Sequence, residues 1–350
     1  MRSARIAIVG GGLSGLFAAY CLEQEGIHDY VLLEARDGIG GRIASHGAAG
    51  ADPRERFDLG PTWFWPGIQP RLHRLIRDLG LERFAQHEEG EMLVERAGSE
   101  PPFRVPGYVN APPSMRLAGG MAALTDALRG RLPDARVVTG QAVRRLRQAG
   151  GQVELDCEDL AGQAHTWRAA HVLLAVPPRL AESSIAFTPA LPQALGRAWR
   201  ATPTWMAPHA KYAAVYAAPF WRRLGLSGEA RSSRGPMGEI HDASVPGAGA
   251  ALFGFLGIPA QLRQGLDEAT MRAHCRAQLV RLFGPQAAAP QAEFFRDWAF
   301  ERYTYKVADT DKATGTVITD VGKGINVFRR GKDGKWRVAL DGWSSDRPVP

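Results

Sequence analysis

The sequence predicts an α/β protein built from two domains and a separate C-terminal tail. The first 33 residues contain an apolar strand, a glycine-rich turn, a helix and a second apolar strand, the order of a parallel βαβ unit. A proline-rich stretch at residues 101–113 is typical of a loop or a crossing between domains. Residues 306–350 hold five of the six lysines, so the tail differs in composition from the rest of the chain.

The predicted elements follow from apolar spacing and from glycine and proline positions. Residues 6–9 predict the first strand, residues 16–25 the helix that Gly26 ends, and residues 30–33 the second strand. Helical spacing recurs within residues 70–84 and at 271–282. Further strands are predicted at 137–138, 143, 153–155 and 171–176, with a Gly-Gly turn before residue 153.

Composition argues against several classes of protein. The net charge is +7, but the 37 arginines are scattered among 36 acidic residues and form no nucleic-acid module. The three cysteines are far apart and have no metal-ligand spacing, which predicts no metal site and a reduced, cytoplasmic protein. No run approaches the roughly 20 apolar residues that cross a bilayer, so no membrane span is expected.

The turn of the βαβ unit reads IVGGGLSG over residues 8–15. Gly10 permits the tight turn, Gly12 lets the backbone approach a pyrophosphate, and Gly15 lets the helix and strand pack closely. Leu13 and Ser14 lie within the same turn, just before the predicted helix, whose N-terminus favours an anion. Glu34 follows the second strand, where a carboxylate accepts hydrogen bonds from ribose hydroxyls. This combination predicts an adenine dinucleotide as ligand.

The segment LEARDGIGGR, residues 33–42, resembles the flavin-containing amine oxidase family, which includes polyamine oxidases, L-amino-acid oxidases and related desaturases. The resemblance implies FAD as the cofactor. It also implies that this segment holds the adenosine ribose and the diphosphate through Glu34, Ala35, Arg36, Gly41 and Arg42. No cysteine lies where some members attach FAD covalently, which implies noncovalent binding.

Further matches run in family order over about 300 residues. FDLGPTWFW, residues 57–65, is similar to the segment that passes beside the flavin ring, which implies backbone contacts at Gly60, Pro61, Thr62 and Trp63. We expect Phe64 and Trp65 to be core residues. The strand at Val143 resembles the one that meets the adenine through its backbone.

Lys211 lies in HAKYAAVYAAPFWRRLGLSG, residues 209–228, and is the only lysine among the first 305 residues. The segment resembles the one whose lysine holds a water against flavin N5 and assists flavin reoxidation, which implies a catalytic role for Lys211. A compact amine that can lose its proton suits such a role better than arginine does. Glu239, His241 and Asp242 also follow the family pattern, and we expect them to make hydrogen bonds within the substrate domain.

The resemblance implies a reaction of the EC 1.4.3 type. FAD would accept a hydride from a C–H bond next to the nitrogen of a small amine, and O₂ would reoxidise the flavin and give H₂O₂. Two alternatives remain open at this point. One is an inactive dinucleotide-binding remnant, and the other is a flavin desaturase or oxidase that acts on a non-amine substrate.

The resemblance ends near residue 303, and the family's C-terminal glycine-rich flavin segment finds no match, which predicts weakened FAD binding and impaired activity. Residues 304–350 instead resemble the last strands of a SnoaL-like, ketosteroid-isomerase-type domain. Ile325 and Val327 alternate on one predicted strand, Asp333-Gly334 supplies a turn, and Trp336 begins the return strand.

The predicted architecture is therefore a Rossmann-type FAD-binding domain interleaved with a mixed α+β substrate domain, plus a C-terminal β-hairpin tail. The FAD-binding domain takes residues 1–78 and 112–182. The substrate domain takes residues 79–111 and 183–303, and the tail takes residues 304–350.

Overall fold

The computed structural model describes residues 2–48, 50–203, 209–263, 265–296, 298–310, 317–330 and 336–345, the last three ranges as backbone only. The chain forms two compact units. Unit one comprises Met1–Gly38, Asp134–Pro208 and Trp298–Pro350, and unit two comprises Ile39–Pro133 and His209–Asp297.

The main elements of unit one are β1 (Arg2–Val9), α1 (Leu13–Gln24), β2 (Tyr30–Leu33), β9 (Val137–Val138), β10 (Gln141–Ala149), β11 (Gln152–Asp159), β12 (Ala164–Leu174), α4 (Pro178–Ser184), β13 (Ala186–Thr188) and α5 (Gln193–Ala201). These seven strands form one sheet in the order β13-β10-β11-β12-β1-β2-β9. β1 runs parallel to both β2 and β12. Apolar side chains of these strands, including Ala7, Val9, Val31 and Leu33, form a buried core.

The strands of unit two are β3 (Ser45–His46), β4 (Phe57–Asp58), β5 (Arg83–Ala85), β6 (Glu91–Glu95), β7 (Phe103–Pro106), β8 (Met115–Leu117), β14 (Lys211–Tyr216), β15 (Leu226–Ser232), β16 (Met237–Asp242), β17 (Ala250–Leu256) and β18 (Ala292–Arg296). Seven of them form a second sheet in the order β18-β14-β17-β16-β15-β6-β7. The helices of unit two are α2 (Pro70–Asp78), α3 (Ala122–Arg129), α6 (Phe220–Arg223), α7 (Ala260–Arg263) and α8 (Glu268–Phe283).

The two faces of the unit-two sheet have different surroundings. On one face Tyr212 and Ala214 of β14 pack with Met271, Cys275 and Leu279 of α8. Because side chains alternate along a strand, Lys211 and Ala213 point to the opposite face. Ala213 lies there in an aromatic cluster with Phe57 and Phe253. Lys211 is thereby directed away from α8.

The predicted tail boundary at residue 304 stays a prediction. This region contains one strand more than the predicted hairpin, and its first strand begins at Trp298. β19 (Trp298–Thr310), β20 (Val317–Arg330) and β21 (Trp336–Ser345) form an antiparallel sheet of three strands. The predicted hairpin corresponds to β20 and β21, with Val327 opposite Leu340. Its predicted turn at Asp333-Gly334 lies outside the described residues, and the likeness to a SnoaL-like sheet stays a prediction.

The predicted α/β class with a Rossmann-type unit is confirmed, and the predicted helix at 271–282 is present as α8. Two local predictions are wrong. Residues 70–84 do not form one helix, because α2 stops at Asp78 and Gly80 adopts a left-handed φ of 69°. Residues 101–113 are not entirely loop, since β7 pairs with β6. The predicted division into FAD-binding and substrate domains concerns ligand roles and stays a prediction.

Among the described residues, no helix combines the length and apolarity required to cross a bilayer.

Candidate active site

The glycine turn of unit one depends on the absence of side chains at two positions. Gly10 follows β1 with φ 111°, and a Cβ there would lie 2.7 Å from Val176 Cγ1. A Cβ on Gly15 would lie only 1.9 Å from the carbonyl oxygen of Gly10. The start of α1 can therefore approach the end of β1 only with glycine at both places, as predicted for a dinucleotide-binding turn.

The same turn presents hydrogen-bond donors to an anion. Gly12 is the N-cap of α1, so the N–H groups of Leu13, Ser14 and Gly15 fall in its first turn, where a helix supplies no acceptor. That turn contains no acidic side chain. A pyrophosphate fits these donors and the positive end of the helix dipole.

Glu34 is held rigidly beside this turn. It is 6% exposed, and its Oε2 accepts a hydrogen bond of 2.7 Å from Gly11 N. Its Oε1 accepts from Arg36 N and Arg36 Nε, each at 3.1 Å. A carboxylate has about four acceptor sites, so this oriented group retains capacity for a ribose hydroxyl. Ala35 is exposed next to it.

Val143 is 7% exposed on β10, where its side chain belongs to the core of unit one. Its backbone is therefore the part that can meet an adenine. β10 approaches Glu34 directly, since Gln141 N donates 2.8 Å to Glu34 O.

Unit two brings a second set of predicted residues together. Gly41 has a left-handed φ of 61°, and the exposed Arg42 follows it with no hydrogen-bond partner among the described side chains. A Cβ on Gly60 would lie 2.4 Å from Arg42 O, so the two segments touch through their backbones. Pro61 is exposed, whereas Thr62 is 4% exposed.

Lys211 joins this set from a distant part of the chain. Its Nζ donates 2.8 Å to Gly60 O and 2.6 Å to Thr62 Oγ1. The same atom lies 4.6 Å from the centroid of the Phe253 ring and 4.5 Å from that of Phe255. The lysine is 4% exposed. An ammonium here has two oxygen acceptors and two aromatic faces, but almost no water.

The surroundings of Lys211 favour its neutral form. Burial, reinforced by the Arg116 cation, lowers the pKa of Lys211 to about 7, although Asp58 and Glu239 act in the opposite direction. Because the pKa lies near neutrality, Nζ can gain or lose a proton under ordinary conditions.

Asp58 and Arg116 belong to this site, although the sequence offered no signal for their roles. Asp58 is 4% exposed; its Oδ1 accepts from Ser45 Oγ and Met121 N, and its Oδ2 is buried with no partner among the described residues. Arg116 is 2% exposed and donates to the carbonyl oxygens of Ala243 and Ser244. Burial raises the pKa of Asp58 and lowers that of Arg116.

An aromatic cluster lies on the same face as Lys211. Trp63 packs edge-on against His241, with ring centroids 5.0 Å apart, and contacts Phe253 and Phe255. Phe64 is fully buried as predicted, but Trp65 is only half-buried and lines a pocket.

The predicted hydrogen bonding of the last three family residues is confirmed. His241 Nε2 lies 2.7 Å from Glu239 Oε1, and Asp242 accepts from Trp221 Nε1 and Ser244 N. In the part of the chain that the structure describes, no group of three or more His, Cys, Asp and Glu side chains is arranged to hold a metal ion.

Comparison with known proteins places this geometry in a family. Residues 96–316 match the family model for flavin containing amine oxidoreductases, and residues 8–79 match the NAD(P)-binding Rossmann-like domain. The probable flavin-containing monoamine oxidase A of Dictyostelium discoideum is 23% identical over 400 residues, covering 85% of this chain and 84% of that protein.

Solved structures show the same fold. A putrescine oxidase superimposes with a TM-score of 0.71 at 22% identity, covering 85% of each chain. The cyclohexylamine oxidase from Brevibacterium oxydans IH-35A gives 0.72 at 20% identity, covering 84% of each chain. The family match extends over more than half of the sequence. The chain therefore belongs to the flavin-containing amine oxidoreductase family, whose cofactor is FAD.

Proposed function

We propose that this protein is an FAD-dependent oxidase that acts on a small amine and passes the electrons to O₂, with H₂O₂ as the reduced product. The observation that carries the proposal is Lys211, a buried amine with a pKa of about 7 that Gly60 O and Thr62 Oγ1 fix in place. Ion pairing does not explain its position, because both of its hydrogen-bond acceptors are uncharged.

The residues of unit one fit the adenine dinucleotide part of FAD. The turn at Gly10, Gly12 and Gly15 would hold the pyrophosphate, Glu34 would accept from the ribose, and the backbone at Val143 would meet the adenine. Arg42 and the backbone of Gly60, Pro61, Thr62 and Trp63 in unit two are the further proposed contacts. FAD, when bound, supplies the acceptor for the hydride and delivers the electrons to O₂.

The chain's own residues contribute a water-excluding surrounding and an amine that can accept a proton. The aromatic rings of Phe253 and Phe255 keep water from Lys211 Nζ, which sustains the low pKa. Above pH 7 the neutral amine can accept a proton, and the Gly60 and Thr62 oxygens orient it. An apolar surrounding also favours a neutral substrate amine, whose free lone pair assists hydride loss.

The test is amine-dependent H₂O₂ release by the FAD-loaded protein, measured with a coupled peroxidase. We expect Lys211→Met to lower the turnover about a hundred-fold or more while FAD stays bound. Arg71→Met removes an exposed cation from α2 in the same unit and should leave turnover unchanged.

Equal peroxide release by the wild type and Lys211→Met would contradict the role of Lys211. A protein that binds FAD but releases no peroxide with any amine would contradict the proposed activity. Such a result would favour the inactive remnant, or the desaturase if polyene substrates were converted instead.

A further inference from the structure

A pocket of about 140 Å³ in unit two combines aromatic rings with carboxylates. Trp63, Trp65 and Tyr108 contribute the rings, and Glu88, Glu229 and Glu239 contribute acidic side chains. The indole N–H groups are already bonded, that of Trp63 to Gln86 Oε1 and that of Trp65 to Ser114 Oγ. What these rings still offer a ligand is their π surface, which attracts cations.

The charges of the wall are unequally compensated. Glu229 and Glu239 both pair with Arg231. Glu88 accepts only neutral donors, the backbone N–H and the side-chain amide of Asn110. No cation pairs with Glu88 among the residues that the structure describes. Glu88 is therefore a pocket carboxylate whose negative charge no described side chain pairs with directly.

A second polar group of the same wall also lacks a partner. Nε2 of His87 is buried and makes no hydrogen bond within the described part of the chain. Burial, reinforced by the Arg222 cation, lowers the pKa of His87, so the imidazole is neutral. A neutral imidazole nitrogen can accept an N–H from a ligand. An ammonium group would supply both an N–H donor and the positive charge that Glu88 lacks.

The pocket and Lys211 border the same aromatic cluster. Trp63 lines the pocket and packs against Phe255 with ring centroids 6.1 Å apart, and Lys211 Nζ lies 4.5 Å from the centroid of Phe255. A carboxylate stabilises the protonated form of an amine, which has no lone pair. Such a site would hinder the reacting nitrogen, but it suits a second nitrogen that does not react.

We propose that this pocket binds the remote ammonium of the substrate, with Glu88 as the residue that makes the enzyme prefer a diamine to a monoamine. The inference rests on the proposed amine oxidation. The likeness to solved structures does not decide between a diamine and a monoamine, since a putrescine oxidase and a cyclohexylamine oxidase superimpose equally well.

The first arm of the test measures binding without turnover. Tert-butylammonium chloride is a suitable probe, because its carbon next to nitrogen carries no hydrogen and cannot be oxidised. Calorimetric titration of the full-length, FAD-loaded protein should show saturable binding. We expect Glu88→Gln to weaken it at least ten-fold, while Glu89→Gln, at an exposed neighbour outside the pocket wall, leaves it unchanged.

A second variant keeps the binding test decisive if Glu88→Gln does not fold. Tyr108 is 50% exposed, so Tyr108→Ala should fold, and we expect weaker binding of the probe from the lost ring. Absence of saturable binding to the wild type would overturn the proposal. Unchanged affinity in every folded pocket variant would overturn it as well.

The second arm measures specificity as kcat/KM for putrescine, which has an amino group at each end, divided by kcat/KM for butylamine. We expect the wild type to prefer putrescine and Glu88→Gln to lower the ratio at least ten-fold, chiefly through KM for putrescine. A ratio unaffected by Glu88→Gln, in a protein that does oxidise amines, would refute the role of Glu88. Failure to oxidise any amine would refute the proposed function instead, and the probe titration would still decide on the pocket.

Discussion

The two compact units hold their candidate site residues by different means. In unit one, the backbone makes the site: Gly10 and Gly15 are needed because a side chain would collide with the chain itself. In unit two, the Lys211 side chain reaches a segment about 150 residues away, where Nζ donates to Gly60 O and Thr62 Oγ1. A backbone site tolerates almost no change at its glycines, whereas a side-chain site can be tuned one charge at a time.

The largest effect is expected at the backbone site. Gly15→Val would place side-chain atoms against the carbonyl of Gly10, where a Cβ alone already comes within 1.9 Å. We expect FAD affinity to fall about a hundred-fold, from displacement of the turn that faces the pyrophosphate. Equilibrium titration with FAD measures this. Gly196→Ala, in α5 of unit one, is the matched control, because its Cβ would meet only Arg200 Nη2, at an ordinary contact distance of 3.9 Å.

A pH series tests the side-chain site through stability. The pKa of Lys211 is about 7 in the fold and 10.5 ordinarily, so between these values the unfolded chain binds a proton that the folded chain does not. Stability should therefore rise with pH across this window, by about 1.4 kcal/mol per pH unit relative to Lys211→Met. Below pH 7 the two proteins should show parallel curves. Denaturant unfolding from pH 6 to about pH 9 checks the slope, and parallel curves throughout would contradict the neutral lysine.

A smaller effect is expected at Glu34, where unit one uses a side chain. Glu34→Gln keeps the size but removes the charge that strengthens hydrogen bonds to a ribose hydroxyl. We expect FAD affinity to fall about ten-fold. Glu25→Gln, an exposed change at the end of α1, serves as the control. Equal FAD affinities in both variants would remove Glu34 from the site.

The smallest effect is expected from Asp58→Asn. Loss of this carboxylate removes a charge that raises the pKa of Lys211, while the opposing Arg116 remains. In the pH profile of amine turnover, the change in rate that follows deprotonation of Lys211 should move to lower pH by about one unit. Asp126→Asn, which breaks an exposed ion pair with Arg56, should leave the pH of this change in rate unaltered. A shift of this change in rate to higher pH would contradict the claim that the Asp58 carboxylate raises the pKa of Lys211.

The same contrast explains what the sequence could predict. The βαβ unit, the glycine turn and the position of Glu34 could be predicted from the sequence, because local spacing and backbone sterics determine them. β2 occupies Tyr30–Leu33 as predicted. Lys211 was found through a family resemblance and its isolation as a lysine, and its acceptors Gly60 and Thr62 were named only as backbone neighbours of the flavin.

Features that depend on distant pairing were missed. Residues 103–106 form a strand only because β6 pairs with them, with Met92 opposite Val105. Asp58 and Arg116 are charged residues that a sequence-based reading assigns to the surface, yet both are buried beside Lys211. Glu88 and Glu89 are consecutive in the sequence, and nothing there distinguishes Glu88, which lines the pocket, from its neighbour.

The central claim is tested most directly by the visible spectrum of the FAD-loaded, desalted protein during anaerobic addition of putrescine. The account predicts a retained flavin spectrum whose long-wavelength band bleaches on addition of the amine and returns when O₂ is admitted. A protein that retains FAD but keeps its full absorbance with every amine would contradict the account, and so would one that cannot retain FAD at all.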